Sequence, residues 1–435
     1  MAMPPPLRWI PAVAFLGLAL GGSSGSGGPR TGPRTSVGPS ATSPEAVSAR
    51  LLSFVIANGA KHMPAGDVQT WYSSAAMPQL GVVEAARAFP ALRANATPWV
   101  DALLDSFLRP GAPAAAGIAG ARWHNWCDMD GVPPAVFAAA ARSNASHPKD
   151  MQVVRAFAAQ ALNYPHNGGV DGLASLPGGA VARSTSGGWR VPALPRQNAT
   201  QITWPDDCFM CTAALSHAAP VLGEAALLDE AARRLLAVFR SGQRDAADGL
   251  LWHGYDVLTG GHSCCKWGDG NGWMFMALAD TVKGYVLINR TVAAALEGPS
   301  RQLHAEAAAA LRQVAAAWIA AQDPGSGLWH QLMDDNTTFL SSSAAGFGLY
   351  ALAAGIQAGV LARAATWPHV AKGWASLAGR VEEDGFVTGL SDGFGINGDR
   401  AEYLRRDNNS LLWGYGAVLR AAAIVGAQHA GTPQL

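Results

Sequence analysis

Charge is scarce in this 435-residue chain: 14% of the residues are charged, and 31 basic side chains balance 31 acidic ones. With no excess of either sign, the basic surface that nucleic acid or an anionic membrane requires is missing, and neither is expected as a partner. Long apolar runs are lacking too. The run from Ile10 to Leu20 is about eleven residues, short of the ~20 that cross a bilayer, so no membrane span is expected. Cysteine is limited to Cys127, Cys208, Cys211, Cys264 and Cys265, too few for a disulfide scaffold and odd in number. At least one should be unpaired or joined to another chain. Cys208 and Cys211 form one C-x-x-C with no second pair at zinc-ribbon spacing and no strand pattern before it, so neither a metal nor a cofactor is expected. The five thiols lie in the same segments as the polar motifs below, where a disulfide would brace loops.

What is present begins with a leader. Residues 1–26 carry one Arg, an apolar run and then small residues, the pattern of a secretory signal peptide. Residues 27–42 are rich in Gly, Ser and Pro and read as a disordered linker. About 400 residues follow, and 43–435 is read as one large domain. Six N-glycosylation triplets, at Asn95, Asn144, Asn198, Asn289, Asn336 and Asn408, fit a secreted glycoprotein. Fifteen Trp residues are many for this length, and several sit in polar, Gly-rich segments of the kind that bind sugars.

From Ser43 onward the pattern is helix after helix, twelve in all, without a convincing run of strands. Ser43-Pro44 and Thr97-Pro98 read as cap-plus-proline starts, and further helices are expected near 81–89, 133–143, 150–163, 206–222, 224–241, 271–286, 300–322, 341–361, 368–381 and 409–426. A turn signature recurs after helices, in Asp248-Gly249-Leu250-Leu251-Trp252-His253, in Ser326-Gly327-Leu328-Trp329-His330 and more weakly in Asp384-Gly385-Phe386-Val387. Repeated helix pairs with a repeated loop imply a closed array of hairpins. Twelve helices suit an all-α (α/α)6 barrel, a six-hairpin toroid. Loops leading into the even-numbered helices carry the polar motifs: Asp128 and Asp130, Trp204 to Asp207, Trp267 to Trp273, Ser341 to Ser343, and Arg405 to Asn409. In a toroid these loops share one end and line one cleft.

The stretch Trp204-Pro205-Asp206-Asp207-Cys208-Phe209-Met210 opens one of those helices. One of its carboxylates reads as an N-cap, yet a cap needs a single side chain, and an indole two residues ahead is a platform for a sugar ring. Asp130 has the same two readings, a cap for the helix opening at Pro133 or a group in the cleft.

That stretch, with Gly249 to Asp256, then Lys266-Trp267-Gly268-Asp269-Gly270-Asn271-Gly272-Trp273, then Gly327 to Gln331 and Leu340 to Tyr350, resembles glycoside hydrolase families 105 and 88 across residues 120–425. The resemblance implies an unsaturated rhamnogalacturonyl or glucuronyl hydrolase on an (α/α)6 barrel, taking an oligosaccharide substrate and no metal or other cofactor. Such enzymes remove the Δ4,5-unsaturated uronic acid that a lyase leaves at a chain end. An aspartate protonates the C4=C5 bond and, as carboxylate, takes a proton from the water that adds to C5. By motif position Asp206 is that aspartate, and Asp130 is similar to the second active-site aspartate. Trp204, Trp267 and Trp273 are implied as ring platforms and His253 as a substrate contact, with Asp207, Asp269, Asn271 and, more weakly, His330 around them.

Two positions depart from the family pattern. Asp269 stands where the family reads Arg, and Ser341-Ser342-Ser343 where it carries Glu-Thr-Ser. Two further readings therefore stand beside the first: a carbohydrate-binding protein that kept the barrel but lost catalysis, or an inverting hydrolase of a neutral sugar, with Asp130 or Asp269 as its second carboxylate. Lys266 is the candidate for the missing positive charge.

Overall fold

The structure, a computed structural model, describes residues 39–62, 73–108, 132–143, 148–163, 202–257, 259–291, 296–393, 396, 399–404 and 412–429. The expected leader, all but the last four residues of the expected linker, the Asp128–Asp130 turn, Cys127 and the 405–409 motif lie outside these residues. Residues Pro39–Thr42 form a 3-10 turn, and Arg50 donates to the carbonyl of Ala41 at 2.9 Å.

In chain order the helices are α1 (Pro44–His62), α2 (Ser73–Ala88), α3 (Arg93–Leu108), α4 (Val132–Ser143), α5 (Pro148–Asn163), α6 (Pro205–Met210), α7 (Ala213–Leu222), α8 (Ala225–Arg240), α9 (Gly268–Thr291), α10 (Gly298–Ala320), α11 (Ser342–Gln357), α12 (Arg363–Ala378), α13 (Arg400–Leu404) and α14 (Leu412–His429). Of these, α2, α4, α7, α9, α11 and α14 form a ring in which each packs on the next and α14 returns to α2. Outside them α1, α3, α5, α8, α10 and α12 each cover an inner helix. This is the (α/α)6 barrel, with α6 the first turn of the inner helix that α7 continues.

The two rings differ in sequence because they differ in surroundings. In α11 every residue from Ser342 to Ile356 is buried, and the helix is rich in Ala and Gly. A helix enclosed on all sides has no polar face to show. In α8, by contrast, Leu228, Ala231, Ala232, Leu235 and Leu236 face inward while Arg233 and Arg240 are exposed. Small residues set the spacing: a Cβ at Gly416 would lie 2.4 Å from the carbonyl carbon of Met77, so α14 and α2 touch backbone to backbone there.

The barrel centre is fastened by charge. Arg420 on α14 forks onto Glu84 of α2 at 2.8 and 2.9 Å and onto both oxygens of Asp280 on α9 at 2.9 Å. Tyr350 of α11 donates to Asp280 at 2.5 Å, and His217 of α7 lies 3.2 Å from the same carboxylate. Five of the six inner helices thus meet in one buried network.

Several boundaries differ from the sequence reading. The second helix starts at Ser73 rather than near 81, and the third at Arg93, with Pro98 inside it, because the Pro90–Leu92 3-10 turn runs straight into the helix. The expected helix 206–222 breaks at Cys211 and Thr212. Strands exist, in two short antiparallel pairs: β1 (Ile202–Thr203) with β2 (Tyr255–Asp256), and β3 (Trp329–His330) with β4 (Leu340–Ser341). Among the described residues no helix is long and apolar enough to cross a membrane.

Candidate active site

The β1–β2 pair is small but decides where the acidic stretch sits. It sets Thr203 opposite Tyr255, and the Gln243 side chain bridges the carbonyls of Thr203 and Trp252 at 3.3 and 3.0 Å. The chain after Thr203 is thereby held beside the chain before Tyr255. Trp204 is extended and serves as the N-cap residue of α6, with Pro205 next, so Asp206 and Asp207 occupy the second and third helical positions. Neither aspartate is the cap, contrary to one reading of the sequence. Both still lie in the first turn, where the helix dipole favours a negative charge.

The two carboxylates have different surroundings. Asp207 is buried at 4% exposure, whereas the Asp206 side chain is 13% exposed. Oδ2 of Asp206 has no hydrogen-bond partner and lies 3.5 Å from Nε2 of His253. His253 is fully buried, its Nδ1 2.6 Å from the hydroxyl of Tyr403. When Tyr403 donates this bond, the imidazole proton sits on Nε2 and faces Asp206. Trp204 meets the His253 ring edge-on at 5.6 Å, and Trp267 lies at 4.7 Å on a tilt. Gly270 keeps the space open: a Cβ there would be 3.1 Å from the His253 ring and 3.4 Å from Oδ2 of Asp206.

The loop that carries His253 is tied to α9. Asn271 exchanges hydrogen bonds with the backbone of Leu251 at 2.8 and 2.9 Å, and its amide also donates to the Trp267 carbonyl. The backbone N–H of His253 donates to the carbonyl of Cys265 at 3.0 Å. Trp267 donates its indole N–H to Ser391 at 3.0 Å and packs with Cys265, Leu332 and Tyr403 in a cluster apart from the barrel core.

Other expected site residues are placed away from the opening. Trp273 is 2% exposed and packs in the core against Phe209 and Phe347, at 5.2 and 4.5 Å. His330 turns to the Thr338 carbonyl at 2.6 Å within its own hairpin. Lys266 does not supply a cation to the cleft, because Asp245 and Asp248 hold its ammonium at 2.7 and 2.6 Å and it lies over the ring of Trp252.

Asp269 is fully buried rather than presented to a ligand. Its Oδ1 accepts from Ser343 at 2.9 Å and from Ser341 at 3.4 Å, and its Oδ2 accepts from the Trp413 indole at 3.4 Å. Burial pushes its carboxyl up to about 7; the bonds from Ser343, Trp413 and Ser341 hold it down in part, and the charge of Asp206 pushes it further up.

The cysteines resolve into three kinds. Cys264 and Cys265 are joined to each other in the loop before α9, Cys211 is disulfide-bonded, and Cys208 is free and buried. The C-x-x-C pair is therefore not bonded to itself. Burial, then the charges of Asp207 and Asp206, push the Cys208 thiol well up, leaving it protonated and inert.

Residues 181–425, more than half the chain, match Glycosyl Hydrolase Family 88. The chain belongs to that family. As a family 88 member it is 29% identical over 185 residues to the unsaturated rhamnogalacturonyl hydrolase YesR of Bacillus subtilis, covering 42% of this chain and 48% of that one. It is 30% identical over 162 residues to an unsaturated 3S-rhamnoglycuronyl hydrolase of Alteromonas, covering 36% and 34%. The aligned regions thus span about half and about a third of those relatives. A crystal structure described as a possible member of the GH105 family, from Klebsiella pneumoniae, superposes with a TM-score of 0.66 at 15% identity, covering 92% of this chain and 96% of that one. At that identity the likeness speaks for the fold.

Sequence reasoning missed Tyr403 and Ser391. Tyr403 lies 150 residues from the His253 it holds, and no local pattern points across such a distance.

Proposed function

We propose that this family 88 member removes a terminal Δ4,5-unsaturated uronic acid from lyase-generated oligosaccharides by hydrating the double bond. The observation that carries the reading is Oδ2 of Asp206, a carboxylate oxygen without a hydrogen-bond partner that sits against Nε2 of His253 among indole rings. Structural carboxylates in buried surroundings are paired. One left open beside an oriented imidazole is placed to exchange a proton with something that enters the cleft.

In the reaction the protonated Asp206 gives its proton to C4, and the positive charge that develops is met by water at C5. The carboxylate then takes a proton from that water, which restores the acid. The C5 hemiketal opens to a ketone, the ring oxygen stays on C1 as a hydroxyl, and the C1 hemiacetal so formed collapses to an aldehyde as the aglycone leaves with the hydroxyl proton. His253, held by Tyr403, fixes the orientation of Asp206 with Nε2. Trp204 walls the ring, and Trp267, buried behind His253, backs the imidazole. Asp130, outside the described residues, keeps its proposed role as a second carboxylate that holds sugar hydroxyls.

An inverting mechanism needs two carboxylates facing the sugar, and the buried position of Asp269 argues against its serving as one of them. We place the protein outside the cell, on the signal-like leader and on sequons of which Asn95, Asn289 and Asn336 are exposed. The function is tested by incubating the purified protein with oligosaccharides from several polysaccharide lyases and identifying products by mass spectrometry. A saccharide shortened by one unsaturated uronic acid is expected for at least one lyase product. Activity confined to saturated neutral glycosides would overturn the reading.

A further inference from the structure

Asp269 is a carboxyl group enclosed in the first turn of α9, next in sequence to the Gly270 that borders Asp206. Around it are a hydroxyl on each of Ser341 and Ser343 and the indole N–H of Trp413, all neutral. Among the described residues no cation pairs with it. From the adjoining elements, Asp206 on α6 is the charged group that acts on it. Other titratable groups nearby are engaged elsewhere: His253 with Tyr403, Lys266 with Asp245 and Asp248, and Arg380 with the carbonyl of Leu340 and the hydroxyl of Ser342. An ionised carboxylate deprived of both water and a counter-ion is costly, and the group keeps its proton instead. A protonated carboxyl can also donate to one of the two hydroxyls, for Ser341 accepts from the N–H of Ala344 and Ser343 from that of Ser391, which leaves each at most one further lone pair.

We infer that Asp269 is a specificity-determining residue for the hydrolase reading above, on which this inference rests: neutral, it lets the cleft hold an anionic sugar, and ionised, it weakens that hold. A uronate brings one negative charge to the site. A fixed charge behind the wall repels it through a region of low dielectric, whereas a neutral acid does not. Asp269 acts by charge and does not touch the sugar. The position occupied by Arg in the family pattern thus keeps, in this chain, a group whose charge can be set to zero.

The test separates binding from turnover. Calorimetric titration of the intact protein with glucuronate and with its uncharged amide is carried out from pH 5.5 to 8.5. Glucuronate affinity is expected to fall about tenfold over that range, with glucuronamide unchanged, and KM for an unsaturated uronide should rise by a similar factor. In Asp269→Asn the fall should vanish. In Ser343→Ala, which removes a donor that favours the ionised form, the fall should move to higher pH. The inference is overturned if Asp269→Asn keeps the pH-dependent fall, if glucuronamide shows the same fall, if neither probe shows one, or if Ser343→Ala moves it to lower pH or leaves it in place. If the hydrolase reading alone fails, the glucuronate pattern holds while no uronide is consumed.

Discussion

Replacing Asp206 with Asn should lower the rate of double-bond loss by about 10²–10⁴-fold, the range associated with a positioned acid–base group. The amide neither gives the proton to C4 nor takes one from water. The change should leave the fold intact, because Oδ2 of Asp206 makes no hydrogen bond that Asn would break. Circular dichroism and the thermal midpoint should match the parent protein, with turnover assayed on the same preparation. Turnover within a few-fold of the parent would move the acid role away from Asp206.

The second large effect concerns stability. Arg420→Met should cost about 3–5 kcal/mol, since it leaves two buried carboxylates without their shared cation. Burial alone would raise Glu84 and Asp280, but the charge of Arg420 together with Lys283 and, for Asp280, His217 outweighs it and holds both below the usual carboxylate range. A carboxylate lowered in the folded state contributes stability that is present above its unfolded value, about 4, and is lost as pH falls below it. Parent protein should therefore lose stability steeply below about pH 4. The variant, already lacking most of that contribution, should show a shallower acid limb in urea unfolding. Equal midpoints for the two proteins at pH 7 would contradict the role given to the network.

The hairpins were legible in the sequence because a turn with Gly recurs after helices, at Asp248-Gly249, Ser326-Gly327 and Asp384-Gly385, and because starts such as Ser43-Pro44 carry a cap and a proline. That the 204–207, 267–273 and 341–343 segments meet followed from counting. What stayed hidden were contacts that cross the barrel. Glu84 and Arg420 are 336 residues apart, and neither segment shows that it has a partner. The strand pairs are two residues long, below the length at which alternation becomes a pattern. Asp269 is the most instructive residue. Its place in a Gly-rich Trp motif suggested exposure to a ligand, but its burial is set by Ser341, Ser343 and Trp413, which arrive from two other helices. Lys266 likewise sits in the motif and turns away from it, drawn by aspartates 18 and 21 residues earlier.

The central claim is that Asp206 hydrates a double bond rather than cleaving a saturated glycoside, and one experiment separates the two. Ultraviolet absorbance of an unsaturated uronide is followed while the released saccharide is quantified in the same sample. The account predicts that absorbance disappears in step with release, one double bond per saccharide, and that Asp206→Asn stops both. Release of saccharide with the absorbance unchanged would contradict it.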